Sequence, residues 1–232
     1  MSDDLLPDAN KIIVHHHLGL GDHFVCNGLV NHLCDKYDAI FLPCKTRNFE
    51  TVKYLYCENT KVNLIPIVDN EYSEVDQFAN QNNLQILKIG FEHTQLDNWD
   101  KSFYEQLDIP FDYRYSKFSI PIKTPIDPHP VPENKYVLIH NQSSEAIYDL
   151  AIETNPFQYQ QVYITKEEDY PNLFSFLPLI FRAKQIHCIN SSVFHLIDSL
   201  ILPPNIELYY HDIRKDNTSF TISSKWSTVH YV

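Results

Sequence analysis

Short apolar runs recur along the chain, each ending in polar residues, and between them apolar positions return at three- and four-residue spacing. The first run, Lys11–His16 (KIIVHH), reads as a buried strand. Beyond it, Phe24, Val25, Leu29, Val30 and Leu33 fall on one face of a helix. Further strands are predicted over Asp38–Pro43, Val62–Val68 and Leu84–Gly90, and helices over Asn48–Tyr56, near Glu74–Gln81 and over Trp99–Leu107. Pro121, Pro125, Pro128, Pro130 and Pro132 then crowd together. Proline lacks an N–H and fixes φ, so such a series favours an extended linker. The rhythm restarts with strands over Lys135–His140, Gln161–Thr165, Gln185–Asn190 and Glu207–His211, and helices over Leu173–Phe181 and Ser192–Leu202. Strands alternating with helices imply right-handed βαβ units and parallel sheets. The expected fold class is α/β, with two Rossmann-like domains, residues 1–124 and 125–232, whose parallel sheets face each other across a cleft.

Composition narrows the function classes. The 232 residues are 44% hydrophobic and 21% charged, which fits a soluble globular protein and argues against disorder. A formal charge of −12 repels polyanions, so nucleic acid is not an expected partner. No apolar run reaches the roughly 20 residues of a membrane span. The acidic start, MSDDLLPDANK, does not resemble a signal peptide. Five cysteines with no C-x-x-C pair read as reduced thiols, which points to a cytoplasmic location. Only four glycines occur, and Gly19, Gly21 and Gly28 stand within ten residues of one another. Glycine is used where backbone must turn or approach something closely, so that cluster marks a place.

Three strand-to-helix junctions hold candidate chemistry. Gly19-Leu20-Gly21-Asp22 offers close backbone approach, unpaired helix N–H groups and a carboxylate at or near the N-cap. Asp22 acting only as a cap is the plainer alternative. No third glycine completes a dinucleotide fingerprint and no G-K-[ST] completes a P-loop. At the second junction, Ser191 and Ser192 open a helix with His195 in its first turn, a setting that suits a phosphate. Simple capping by the serines and a packed His195 is the alternative there. The third junction, His140 followed by Asn141, Gln142, Ser143 and Ser144, could line a cleft or be an ordinary polar loop. His15-His16-His17 invites a metal reading, but alternation on a strand gives only His15 and His17 a common face, so no metal site is expected. No D-x-D, G-x-S-x-G or H-E-x-x-H is present. Tyr163 and Tyr210 could stack on a base or sugar.

GLGDHFVCNGLVNHL resembles the first turn of heptosyltransferase-like glycosyltransferases of the GT-B fold, and AKQIHCINSSVFHLIDSL resembles their C-terminal segment. Where those proteins carry a serine-glycine-proline turn, this chain has Ser191-Ser192-Val193. The resemblance implies a GT-B-like enzyme with no cofactor, a nucleotide-sugar donor and a glycan or other hydroxyl acceptor. It implies Asp22 as catalytic base, with Gly19, Gly21 and His23 on the acceptor side. Ser191, Ser192, His195, Asn141, Gln142 and Ser143 would meet the donor. The expected activity is inverting transfer without a metal. The alternatives are a non-catalytic nucleotide- or glycan-binding protein on the same fold, or a structural protein that has lost its site.

Overall fold

The computed structural model describes residues 10–152, 159–165, 171–214 and 219–231. The acidic N-terminal residues 1–9 lie outside them. The chain forms two compact units that part between Thr124 and Pro125, and residues 219–220 pack with the first unit.

The first unit is built in the order β1 (Lys11–His15), α1 (Leu20–Val25), α2 (Asn27–Leu33), β2 (Ala39–Lys45), α3 (Phe49–Leu55), β3 (Val62–Ile67), α4 (Glu71–Asn82), β4 (Gln85–Lys88), α5 (Trp99–Glu105) and α6 (Tyr113–Ser116). Its four strands are parallel in the order β3-β2-β1-β4. Ile12, Ile13 and Val14 of β1 and Ile40 and Leu42 of β2 are buried, as strands covered on both faces require. The second unit runs β5 (Tyr136–His140), β6 (Gln160–Tyr163), α7 (Leu177–Arg182), β7 (Gln185–Cys188), α8 (Ser192–Ser199), β8 (Glu207–Asp212) and β9 (Trp226–His230). Its five strands are also parallel, in the doubly wound order β6-β5-β7-β8-β9.

Several boundaries differ from the pattern-based expectation. The first strand ends at His15, so strand alternation does not set the direction of His17. The predicted helix after it is two segments joined at Cys26, with the Val30 N–H still donating to the Cys26 carbonyl at 2.8 Å. α8 stops at Ser199 because Leu200 is already extended and Pro203 and Pro204 follow shortly after. Lys225 Nζ donates to the carbonyls of Ile197, Asp198 and Leu200 at 3.0, 2.6 and 3.1 Å, closing that helix end with a cation. The short α6 and the final strand β9 were not anticipated.

Gly28 corrects one inference from composition. Its role is packing between elements, not approach to a ligand: a Cβ there would drive into the Tyr113 carbonyl of α6. The same contact region holds a buried ion pair between Arg114 and Asp100, both 0% exposed. Gly28→Ala should therefore destabilise the first unit by about 1–3 kcal/mol, the usual range for overpacking. Urea unfolding followed by tryptophan fluorescence checks this; an unchanged midpoint would remove the packing assignment.

Candidate active site

In open parallel sheets, ligands gather at the carboxyl ends of strands where the strand order reverses. In the first unit that point lies between β1 and β4. Asp22 reaches it from the turn after β1. Gly19 is the N-cap of α1, with extended backbone, so Asp22 sits at N3 and not at the cap itself. Its carboxyl group accepts from the Gly19 N–H, and a Cβ on Gly19 would press into Oδ2. This is the reciprocal half of a capping box, reached without a capping side chain. Burial dominates its protonation: it pushes the Asp22 carboxyl up to about 7, against the backbone N–H groups and Lys45, which pull it down.

Lys45 ends β2 and Glu71 opens α4. Glu71 Oε2 lies 3.2 Å from Lys45 Nζ, and its Oε1 lies 3.6 Å from His15 Nε2. Glu71 raises the proton affinity of Asp22, so the two carboxyls and the lysine form one charge cluster. His15 is held neutral chiefly by burial, which outweighs Glu71. His23 is fully buried, its ring 4.6 Å from that of His16, so this acceptor-side candidate points into the core. Gly21 remains partly exposed in the first turn of α1. Among the described residues no three His, Cys, Asp or Glu side chains stand close enough to share a metal ion.

The second unit has its switch point between β5 and β7. The loops after these two strands carry Asn141, Gln142 and Ser143 on one side and Ser191, Ser192 and His195 on the other, so sequence-distant candidates converge on one edge. Their side chains are mostly engaged locally. Ser191 Oγ caps α8 by accepting from the Phe194 N–H at 3.3 Å. Asn141 Nδ2 donates to the Tyr148 carbonyl at 2.7 Å, and Ser143 Oγ accepts from the Glu145 and Ala146 N–H groups at 3.1 Å. Gln142 makes a backbone bridge to Ile147. His195 is 3% exposed, its ring edge-on to Phe194. Arg214, which sequence reading missed, donates from Nη1 to the Asn190 carbonyl at 2.9 Å and stands beside the start of α8. It follows β8 by two residues, and only the strand order brings it there. Tyr163 is 44% exposed, whereas Tyr210 is buried beside Phe194.

Two all-parallel sheets with these connections make a GT-B-like fold of two Rossmann-like units. Solved structures that it resembles include glycosyltransferases. One is the iron-containing dodecameric glycosyltransferase TibC of enterotoxigenic E. coli H10407, at TM-score 0.58 and 11% identity over 96% of this chain. The same protein described as a heptosyltransferase in complex with ADP-D-beta-D-heptose gives TM-score 0.54 and 10% identity over 96% of this chain. A family 9 glycosyl transferase from Veillonella parvula DSM 2008 gives 0.55 and 9% identity, covering 98% of this chain and 87% of that one. The chain spans 63% of the length of the TibC structures. No protein-family model and no curated protein matches the sequence. Among the described residues, no helix is long and apolar enough to cross a membrane.

The buried groups give opposite pH effects. Asp22 holds its proton to about pH 7, whereas the same carboxyl in an unfolded chain releases it near 3.8. Between those values the unfolded state binds fewer protons, so this group lowers stability as pH rises. Asp22→Asn should melt higher than the parent at pH 8, with the difference gone below pH 3.8. His16, His187 and His211 stay neutral down to about 4, against 6.5 unfolded. Their contribution is present above 6.5 and lost as pH falls towards 4. Calorimetric unfolding at pH 5 in buffers of different ionisation enthalpy should show net proton uptake; net release would contradict the burial of these imidazoles.

Proposed function

We propose that this protein is a metal-independent, inverting glycosyltransferase that moves a sugar from a nucleotide-sugar donor to a hydroxyl acceptor. The observation that carries the reading is Asp22, a carboxyl at the switch point of the first unit whose burial raises its proton affinity into the neutral range. A general base works best when its pKa lies near the operating pH. Asp22 takes the proton of the acceptor hydroxyl as that oxygen bonds to the anomeric carbon. The bond from that carbon to the donor phosphate breaks on the opposite face, and the nucleotide departs carrying the electron pair.

The departing phosphate gains negative charge. The backbone N–H groups at the Ser191-Ser192 start of α8 and the guanidinium of Arg214 supply fixed positive potential for it. Asn141, Gln142 and Ser143 shape the neighbouring loop on the donor side. The reaction requires both edges to reach one donor–acceptor pair. A non-catalytic nucleotide- or glycan-binding role is the second reading. It is favoured by the internal engagement of Ser191, Asn141 and Ser143, which leaves few side chains turned to a donor.

Asp22→Asn should lower transfer by about 10²–10⁴-fold, the range for loss of a general base. Donor affinity should stay unchanged. A melting screen against UDP-, GDP-, ADP- and CMP-sugars, with and without EDTA, identifies the donor. A ligand at 100 times its Kd adds roughly 2.7 kcal/mol of stability. Donor binding with an unmutated rate in Asp22→Asn would remove the mechanism, and stabilisation that EDTA abolishes would remove metal independence.

A further inference from the structure

The switch point of the first unit carries an aromatic surface that the proposed proton transfer does not use. It is built on the loop after β4. Gly90 has φ +88°, and Phe91 follows at φ +55°. A bulky residue in the left-handed region is a genuine outlier, and such outliers cluster where a ligand is held. Phe91 is fixed there by its N–H, which donates to His17 Nε2 at 3.0 Å, and by its ring, stacked on His17 at 4.8 Å. A Cβ on Gly90 would strike the His17 and Phe103 rings, so the backbone is pressed onto this stack.

Tyr72 lies beside Phe91, with ring centroids 5.8 Å apart, and is 53% exposed. Both rings also meet His15 edge-on, at 5.9 Å from Tyr72 and 4.9 Å from Phe91. The residue before Tyr72 is Glu71, which reaches Lys45 and His15 and is near enough to bias Asp22. Flat rings thus adjoin a carboxylate and an ammonium group.

A pyranose matches that combination. One face presents C–H bonds of partial positive charge, which suit the negative face of an aromatic ring. Its rim presents hydroxyls that both donate and accept. A nucleobase would stack as well, but its phosphates would then approach Glu71 and Asp22 in a chain of net charge −12. An apolar chain would leave Glu71 and Lys45 unanswered at its edge.

We propose that Tyr72 and Phe91 form a stacking platform for a pyranose ring, with Glu71 and Lys45 reading its hydroxyls, so that the acceptor is a saccharide. The assignment of this saccharide as acceptor rests on the glycosyltransferase reading; the binding platform itself does not. The test is saturation-transfer NMR on the full chain with cellobiose, lactose and maltose. Transfer to the ring protons of at least one disaccharide is expected. It should fall at least fivefold in Tyr72→Ala and return in Tyr72→Trp. Tyr72 is largely exposed, so circular dichroism melts of the variants should overlay the parent. No transfer to any of the three sugars, or transfer unchanged in Tyr72→Ala, overturns the proposal. The nucleotide-sugar melting screen separates the two claims. Nucleotide-sugar binding without disaccharide contact removes the platform and leaves the transferase reading. Tyr72-dependent disaccharide contact without nucleotide-sugar binding supports the platform and removes the transferase reading.

Discussion

The carboxyl group of Asp22 is folded back against Gly19 at the third position of its helix, where any side chain on residue 19 would displace it. That contact decides the character of the whole first edge. A cap at a helix N-terminus is most effective as an anion, because the N–H groups and the helix dipole favour negative charge. Burial favours the neutral acid, and here burial wins. The cap and the proposed base are therefore not rival roles. The same group completes the helix start when protonated or ionised, and the cost of ionising it is what brings its proton affinity to the neutral range. Glu71 and Lys45 act on that balance in opposite directions.

The second edge is organised differently. Its polar side chains are spent on shaping their own loops: Ser191 caps α8, Asn141 ties to Tyr148, and Ser143 gathers two N–H groups. What these contacts leave is backbone polarity held in a fixed orientation, plus the charge of Arg214. Preorganised dipoles lose nothing to reorganisation when charge develops, so in the proposed transfer this edge would act on the leaving phosphate through backbone and Arg214 and not through its loop side chains. The first edge carries titratable groups and the second carries fixed ones.

The alternation of elements was legible because parallel strands covered on both faces read as unbroken apolar runs, as in Ile12–Val14 and Val137–Ile139. Ends were not: His16 continues the apolar-to-polar run in sequence, yet pairing stops at His15. β9 (WSTVH) escaped notice because it is an edge strand with only Trp226 buried, which leaves a weak pattern. The turn holding Asp22 was visible from its glycines, but Gly28 served a helix contact with α6 instead. Glu71, Lys45 and Arg214 could not be found from spacing, since strand order alone brings them to their edges. His23 and His195 stand where helical periodicity puts them, and that periodicity turns both inward.

A chain of side-chain hydrogen bonds also ties down that weakly patterned last strand. The Ala151 N–H donates to the Tyr231 hydroxyl oxygen at 2.9 Å. The same hydroxyl bonds His211 Nδ1, 2.6 Å away. His211 Nε2 lies 2.8 Å from His187 Nδ1, so between two neutral rings one of these nitrogens carries the proton and the other accepts it. The tautomers of the two imidazoles are therefore linked through that bond, and the ring of His187 is further pinned by stacking on Tyr209 at 4.6 Å. Protonating both rings would set two N–H donors against each other across that contact, and burial keeps both neutral down to about pH 4. Sequence periodicity gives β9 little reason to stay on the sheet. A chain of bonds running from β7 through β8 to the residue just beyond β9 supplies it.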